Sequence, residues 1–169
     1  LALLDTDVES VDGDSNKITY HLPAMGGLKA GVSFTDSGSN SASGAQDSTS
    51  FGAQYNMEAA GASITLGGAT ITQEQVSGTV DIESQNIGVK VVTGDITLIA
   101  AQATYEATNA DVEANGVGVK FKVSDGMSIG AYTVKVEDST GTTDEEYSNT
   151  GAEITLSLIH ISEPTRHES

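Results

Sequence analysis

Residues Asn115-Gly116-Val117-Gly118-Val119-Lys120-Phe121-Lys122-Val123-Ser124, followed by Asp125-Gly126 and Met127, decide the fold. In an extended chain, successive side chains point to opposite faces. Val117, Val119, Phe121 and Val123 therefore share one side, and Gly116, Gly118, Lys120 and Lys122 share the other. Asp125-Gly126 is a two-residue hairpin signal, so Met127–Asp138 is expected to return antiparallel. The apolar side of that return strand reads as Tyr132, Val134 and Val136.

The same period of two recurs in both directions along the chain. Lys17–Leu22 places Ile18, Tyr20 and Leu22 together, and 27–35 places Leu28, Ala30, Val32 and Phe34. Residues 50–57 place Phe51, Ala53, Tyr55 and Met57, while 62–73 begin with Ile64 and Leu66 and blur at Gly67-Gly68. Ile87, Val89 and Val91 follow, and 149 onward gives Ala152, Ile154 and Leu156. Residues 95–107 are apolar on both sides in their middle; Ile99, Ala101, Ala103 and Tyr105 are taken as the apolar face. No segment holds a helical period.

The connections alternate short with long. Residues 23–26, 58–61, Gly94 with its neighbours, and Asp125-Gly126 are tight. Residues 36–49, 74–84, 108–114 and 139–148 are longer and carry acids. A soluble sandwich has no cause to alternate in this way. An up-and-down barrel in a membrane has one, with tight turns on one side and loops in solvent on the other. Strands of this length also suit a tilted crossing of the hydrocarbon.

Composition narrows the classes. The 169 residues hold 24 acids against 7 basic residues, a formal charge of -17, which disfavours nucleic acid as a partner. No Cys is present, so disulfides and Cys-based metal or redox centres are excluded. With 3 Phe, 5 Tyr and no Trp, the chain is poorly supplied for a dry soluble core. A lipid-facing surface needs only to be apolar, and Ala serves. No run of about 18 apolar residues exists for a spanning helix. No nucleophile elbow, phosphate loop or calcium-loop spacing occurs, and His21 is the sole His before residue 160. No enzyme is indicated and no cofactor is called for. The acidic loop residues read as a solvated rim rather than a divalent-cation site.

The fold expected is thus all-β, an antiparallel up-and-down transmembrane β-barrel. All six lysines, Lys17, Lys29, Lys90, Lys120, Lys122 and Lys135, fall on the polar sides of their strands, so they are the candidate pore-lining residues. Charges on a lumen wall set the field that sorts ions and solutes. A secreted acidic β-rich adhesin or surface structural module is the alternative; it and a soluble β-sandwich carbohydrate binder keep the same alternation.

Two resemblances refine this. Lys17-Ile18-Thr19-Tyr20-His21-Leu22-Pro23 followed by Gly27-Leu28-Lys29-Ala30-Gly31-Val32-Ser33-Phe34 resembles a hairpin of Gram-negative, alphaproteobacterial-type porins; 50–55 and 115–121 are similar to such porins as well. The resemblance implies an outer-membrane, trimeric barrel of about 16 strands that passes ions and small hydrophilic solutes. About nine strands lie here, within residues 1–155, and the acidic residues 1–16 would be the end of a constriction loop. The lysines would face that loop across the pore. Residues 156–169 form a separate, non-native tail on this reading. Leu156-Ser157-Leu158-Ile159-His160-Ile161-Ser162-Glu163-Pro164-Thr165-Arg166 resembles a translated sequencing adapter.

Overall fold

The structure, a computed structural model, describes residues 16–36, 47–74, 81–108, 110–139 and 144–156. They form nine strands: β1 (Asn16–His21), β2 (Leu28–Asp36), β3 (Ser48–Ala59), β4 (Ala62–Gln73), β5 (Ile82–Thr93), β6 (Ile96–Ala107), β7 (Ala110–Ser124), β8 (Met127–Asp138) and β9 (Glu145–Leu156). All are antiparallel, and all belong to one sheet whose spatial order is the chain order. The described sheet is an unclosed wall with β1 and β9 at its edges. The non-native tail expected from residue 156 onward lies, past Leu156, outside the described residues, as does the acidic segment before Asn16.

Each described strand pairs with its chain neighbours, and the described residues form one sheet with no second layer to bury its faces. Among the described residues no hydrophobic side chain is buried. The buried polar side chains are Ser33, Thr35, Ser48 and Ser50. A soluble sheet would reverse this, with apolar rows enclosed and hydroxyls in water.

The tight connections follow turn chemistry. Ala60-Gly61 joins β3 to β4 with φ of 51° and 79°. Positive φ at both central residues suits the right-handed twist of the flanking strands. Gly61 adopts this freely, whereas Ala60 pays for its Cβ. Gly94-Asp95 links the Thr93↔Ile96 pair, with Gly94 at φ 55°. Asp125-Gly126 closes β7–β8 as expected, but neither residue has positive φ; the register slips between Lys122 and Ser124 instead. A bulge there supplies the extra twist.

One expected loop is not a loop. Residues 110–114 lie inside β7, and Ala107 pairs with Ala110, leaving only residues 108 and 109 between β6 and β7. Short and long connections therefore do not alternate throughout. Asp111 and Glu113 alternate with Ala110, Val112 and Ala114 as strand residues, their acids all on one face.

Replacing Ala60 by Asn, which tolerates the left-handed region, is expected to stabilise the full-length protein by about 0.5–1 kcal/mol, and Ala60→Val to destabilise it. Urea unfolding midpoints of the refolded protein in detergent micelles measure both.

Candidate functional site

Directly paired residues of antiparallel strands share a face, so the register assigns each side chain a side across the whole wall. One face carries Ile18, Val32, Phe51, Leu66, Val89, Leu98, Val119, Ile129 and Ile154. The exposed large hydrophobics of the strands lie on it, except Tyr105 and Tyr147. The opposite face carries every buried residue among those described: Gly31, Ser33, Thr35, Ser48, Ser50, Gly52 and Gly88. It is therefore the enclosed, inner face of a curved wall. Thr19 Oγ1 donates to Ser33 Oγ at 3.1 Å there, while Thr35 Oγ1 and Ser50 Oγ make no protein hydrogen bond. Enclosed hydroxyls without protein partners suit a wet interior, since a dry one would penalise them.

The apolar strip on the outer face runs diagonally. Starting at Tyr20 and following paired residues across the sheet leads through Val32, Phe51, Thr70, Gln85, Thr104, Glu113 and Glu137 to Glu146. The apolar residues of β9 centre on Ile154, eight positions further along that strand. A level hydrocarbon layer crossing tilted strands produces this drift. With a rise of about 3.4 Å per residue and a spacing of about 4.8 Å between strands, eight residues over eight steps is a tilt of about 35°. That is the tilt of transmembrane barrels.

The same geometry explains two misread faces. On β6 the outer face is Ile96, Leu98 and Ala100, and the set Ile99, Ala101, Ala103 and Tyr105 points inward. On β8 the outer face is Ile129 and Ala131, and Tyr132, Val134 and Val136 point inward. These 12-residue strands are longer than a crossing of about 9–11 residues requires. Their long-loop halves rise beyond the hydrocarbon, where the outer surface turns polar and an apolar count no longer reports lipid. Tyr132 gains its space between Gly118 and Gly151; its ring occupies the position a Cβ on Gly151 would take.

Five of the six candidate lysines share the inner face. Lys17, Lys29, Lys90, Lys120 and Lys122 pair with Thr35, Gln54, Thr65, Thr97 and Ser128 respectively, all inward. Lys135 does not join them. It pairs with Asn115 and Ser148 on the outer face, beyond the apolar strip, and its Nζ lies 2.7 Å from Glu137 and 3.1 Å from Glu146. Around it, Glu113 Oε1 accepts from Gln102 Nε2 at 2.9 Å and Asn115 Nδ2 at 2.6 Å, and Thr133 and Thr150 hydroxyls meet at 3.0 Å. Such a network belongs at the polar margin of a membrane, not in hydrocarbon.

At the short-turn end Lys122 Nζ lies 2.7 Å from Asp125 Oδ1. The hydrogen bond from Lys122, then its charge, hold the Asp125 carboxyl below the usual carboxylate range. Because the folded value is depressed, this pairing is present above the ordinary carboxylate pKa and is lost as pH falls through the lowered one. Both groups are exposed, so it acts on the local field rather than on stability. Among the strand residues four carboxylates share the inner face, Glu58, Asp138, Glu145 and Glu153, and the turn residue Asp95 stands beside Lys122; sequence reasoning had singled out none of them as inward. The period of two was sufficient to place Glu153 once Ile154 was assigned outward.

A sequence profile of the Gram-negative porin family matches residues 2–157. The chain belongs to that family, whose members reside in the outer membrane. Among solved structures, it is similar to an anion-selective porin from Comamonas acidovorans at 16% identity and a TM-score of 0.46, covering 83% of this chain and 59% of that one. The chain thus spans about three fifths of that relative's length. No curated protein sequence matches it. Among the described residues no helix is long and apolar enough to cross a membrane, which bears on helical spans alone.

Adjacent residues of β7 separate the two faces experimentally. Val119→Arg is expected to cost the inserted protein about 2–4 kcal/mol, the cost of a cation at mid-depth on the lipid face. Lys120→Arg, one position on, should cost nothing measurable. Unfolding in lipid vesicles reads the difference.

Proposed function

We propose that the full-length protein is a general diffusion pore of the outer membrane, giving ions and small hydrophilic solutes a passive route through a water-filled barrel. One observation carries this reading. The large exposed apolar side chains of the strands, Tyr105 and Tyr147 apart, lie on the outer face and none of the described ones is buried, while every buried residue described on the opposite face is a serine, a threonine or a glycine. Lipid satisfies the first face and water the second. Lys17, Lys29, Lys90, Lys120 and Lys122 line the lumen on this reading, and Lys135 meets the surroundings at the outer margin.

Family and geometry point to a channel rather than an enzyme. Passage needs no bond making, only a wet path whose wall charge biases which ions enter. The strands bury their backbone groups against one another, and the closing strands come from chain beyond the nine described. Outer-membrane lipid as the surrounding partner, and assembly as a homotrimer as the resemblance implies, belong to the same reading; the mass of the detergent-solubilised protein tests the second. The secreted adhesin is disfavoured by the exposed apolar strip, which would drive a water-soluble module to aggregate.

In planar lipid bilayers the purified full-length protein should produce discrete, ohmic conductance steps in potassium chloride. A protein that partitions into water without detergent and yields no steps would rule the pore out.

A further inference from the structure

The inner wall is not polar throughout. On β6, β7 and β8, away from the Asp125-Gly126 turn, the inward residues include Ile99, Ala101, Ala103, Ala114, Val134 and Val136. The pairings Ala103↔Ala114↔Val136 and Ala101↔Gly116↔Val134 set them side by side as one apolar field. On a wet face such a field gains nothing from lipid, and burying it under an apolar solute releases water. At its lower edge Ile99 and Tyr132 stand on either side of Gly118, which pairs with both. The Tyr132 ring leans the other way, over Gly151, in the place a Cβ there would take. Gly118 therefore floors a gap between an aliphatic and an aromatic side chain.

One register row toward the short turns, charges of opposite sign face each other across a second glycine. Lys120 pairs with Gly130, and Gly130 pairs with Glu153. Two strand steps of about 4.8 Å put the Cα atoms of Lys120 and Glu153 about 10 Å apart. The Glu153 side chain lies over Gly130, its Cγ and Oε1 at 3.2 and 3.3 Å from where a Cβ would stand. No ion pair joins Lys120 to Glu153 among the described residues. Lys120 also lines a cavity of about 310 Å³ with the hydroxyls of Thr97, Ser128 and Thr155, so a polar group held beside it keeps contact with water.

We infer that this row and the field above it form a binding site on the pore wall for zwitterionic α-amino acids with a large apolar side chain. The carboxylate meets Lys120, the α-ammonium meets Glu153 over Gly130, and the side chain enters the gap between Ile99 and Tyr132 toward Val134. The inference rests on the pore reading above and names a solute class for it. Charge complementarity selects the occupant. A simple anion attracted by Lys120 is repelled by Glu153, and a simple cation meets the reverse. A solute with both signs on one carbon satisfies both. Glycine satisfies the charges but leaves the field wet. Larger side chains gain with apolar area, by up to about fourfold in affinity for each methylene removed from water. The charged contacts stand in water, so each contributes about two- to fivefold.

The test is titration of the ionic current through the full-length protein in planar bilayers, at neutral pH, with L-phenylalanine, L-leucine and glycine. Phenylalanine and leucine should lower the conductance saturably and add binding noise at concentrations where glycine does neither. Phenylpropionate, which lacks the ammonium, and phenethylamine, which lacks the carboxylate, should each bind about two- to fivefold more weakly than phenylalanine. Glu153→Gln should abolish the advantage of phenylalanine over phenylpropionate, and Lys120→Gln its advantage over phenethylamine. Tyr132→Ser should weaken phenylalanine and leave the potassium chloride conductance steps in place. The solute series in the wild type needs no variant, so it decides the matter even if Tyr132→Ser does not insert. Equal effects of glycine and phenylalanine would overturn the site, and the field would then be covered by chain outside the described strands. Phenylpropionate or phenethylamine binding as well as phenylalanine would overturn it too. Either result leaves the pore intact, whereas absence of conductance steps would remove the pore reading itself.

Discussion

Hydrocarbon offers no partner to a peptide N–H or C=O, and that single deficiency governs the structure. Every backbone group of the spanning region must bond to the next strand, so the chain runs up and down through β1 to β9 in strict order and gains no second layer. With backbone pairing obligatory, the side chains are released from building a core. The described residues have none. This is why a chain with no Trp and few other aromatics can form a stable wall, and why Ala and Gly are so frequent on it.

Tilt then decides what each residue meets. Because the strands cross the layer at about 35°, the lipid-facing strip moves along successive strands, and a register line that is apolar at Tyr20 has become acidic at Glu113, Glu137 and Glu146. Charge is sorted by the same rule. Lys135 and its carboxylate neighbours stand outside, above the strip, where water and head groups solvate them. Lys90 and Lys120 stand on the opposite face, which in a membrane-spanning wall is tolerable only if that face is wet. The polarity of the inner wall and the apolarity of the outer one are therefore two consequences of one placement.

Much of this was legible in the residues. The outward row Phe51, Ala53, Tyr55 and Met57 and the Asp125-Gly126 hairpin are visible from period and turn chemistry alone, and the inward side of Lys120 follows from Val117, Val119 and Phe121 beside it. The failures share a cause. Tyr132, Val134 and Val136 outnumber Ile129 and Ala131, so counting over a whole strand chose the wrong face of β8 and carried Lys135 inward with it. In 108–114 the acids suggested a loop because the period of two was overshadowed by composition. Glu153 alternates with the apolar Ala152 and Ile154, so its inward side follows only once Ile154 is placed outward by its pairing with Ile129.

Sequence by itself determined the strand period, the tight turns, the absence of a core-forming residue supply and the chemistry available to each face. These are local properties, settled by φ/ψ preference and alternation within a few residues. Only the tertiary structure decided which residues share a face across the whole sheet, how far the apolar strip drifts from strand to strand, and that Lys135 stands apart from the other five lysines. Depth is a relation between strands. It depends on register and tilt accumulated over the whole sheet, and no single strand carries that information.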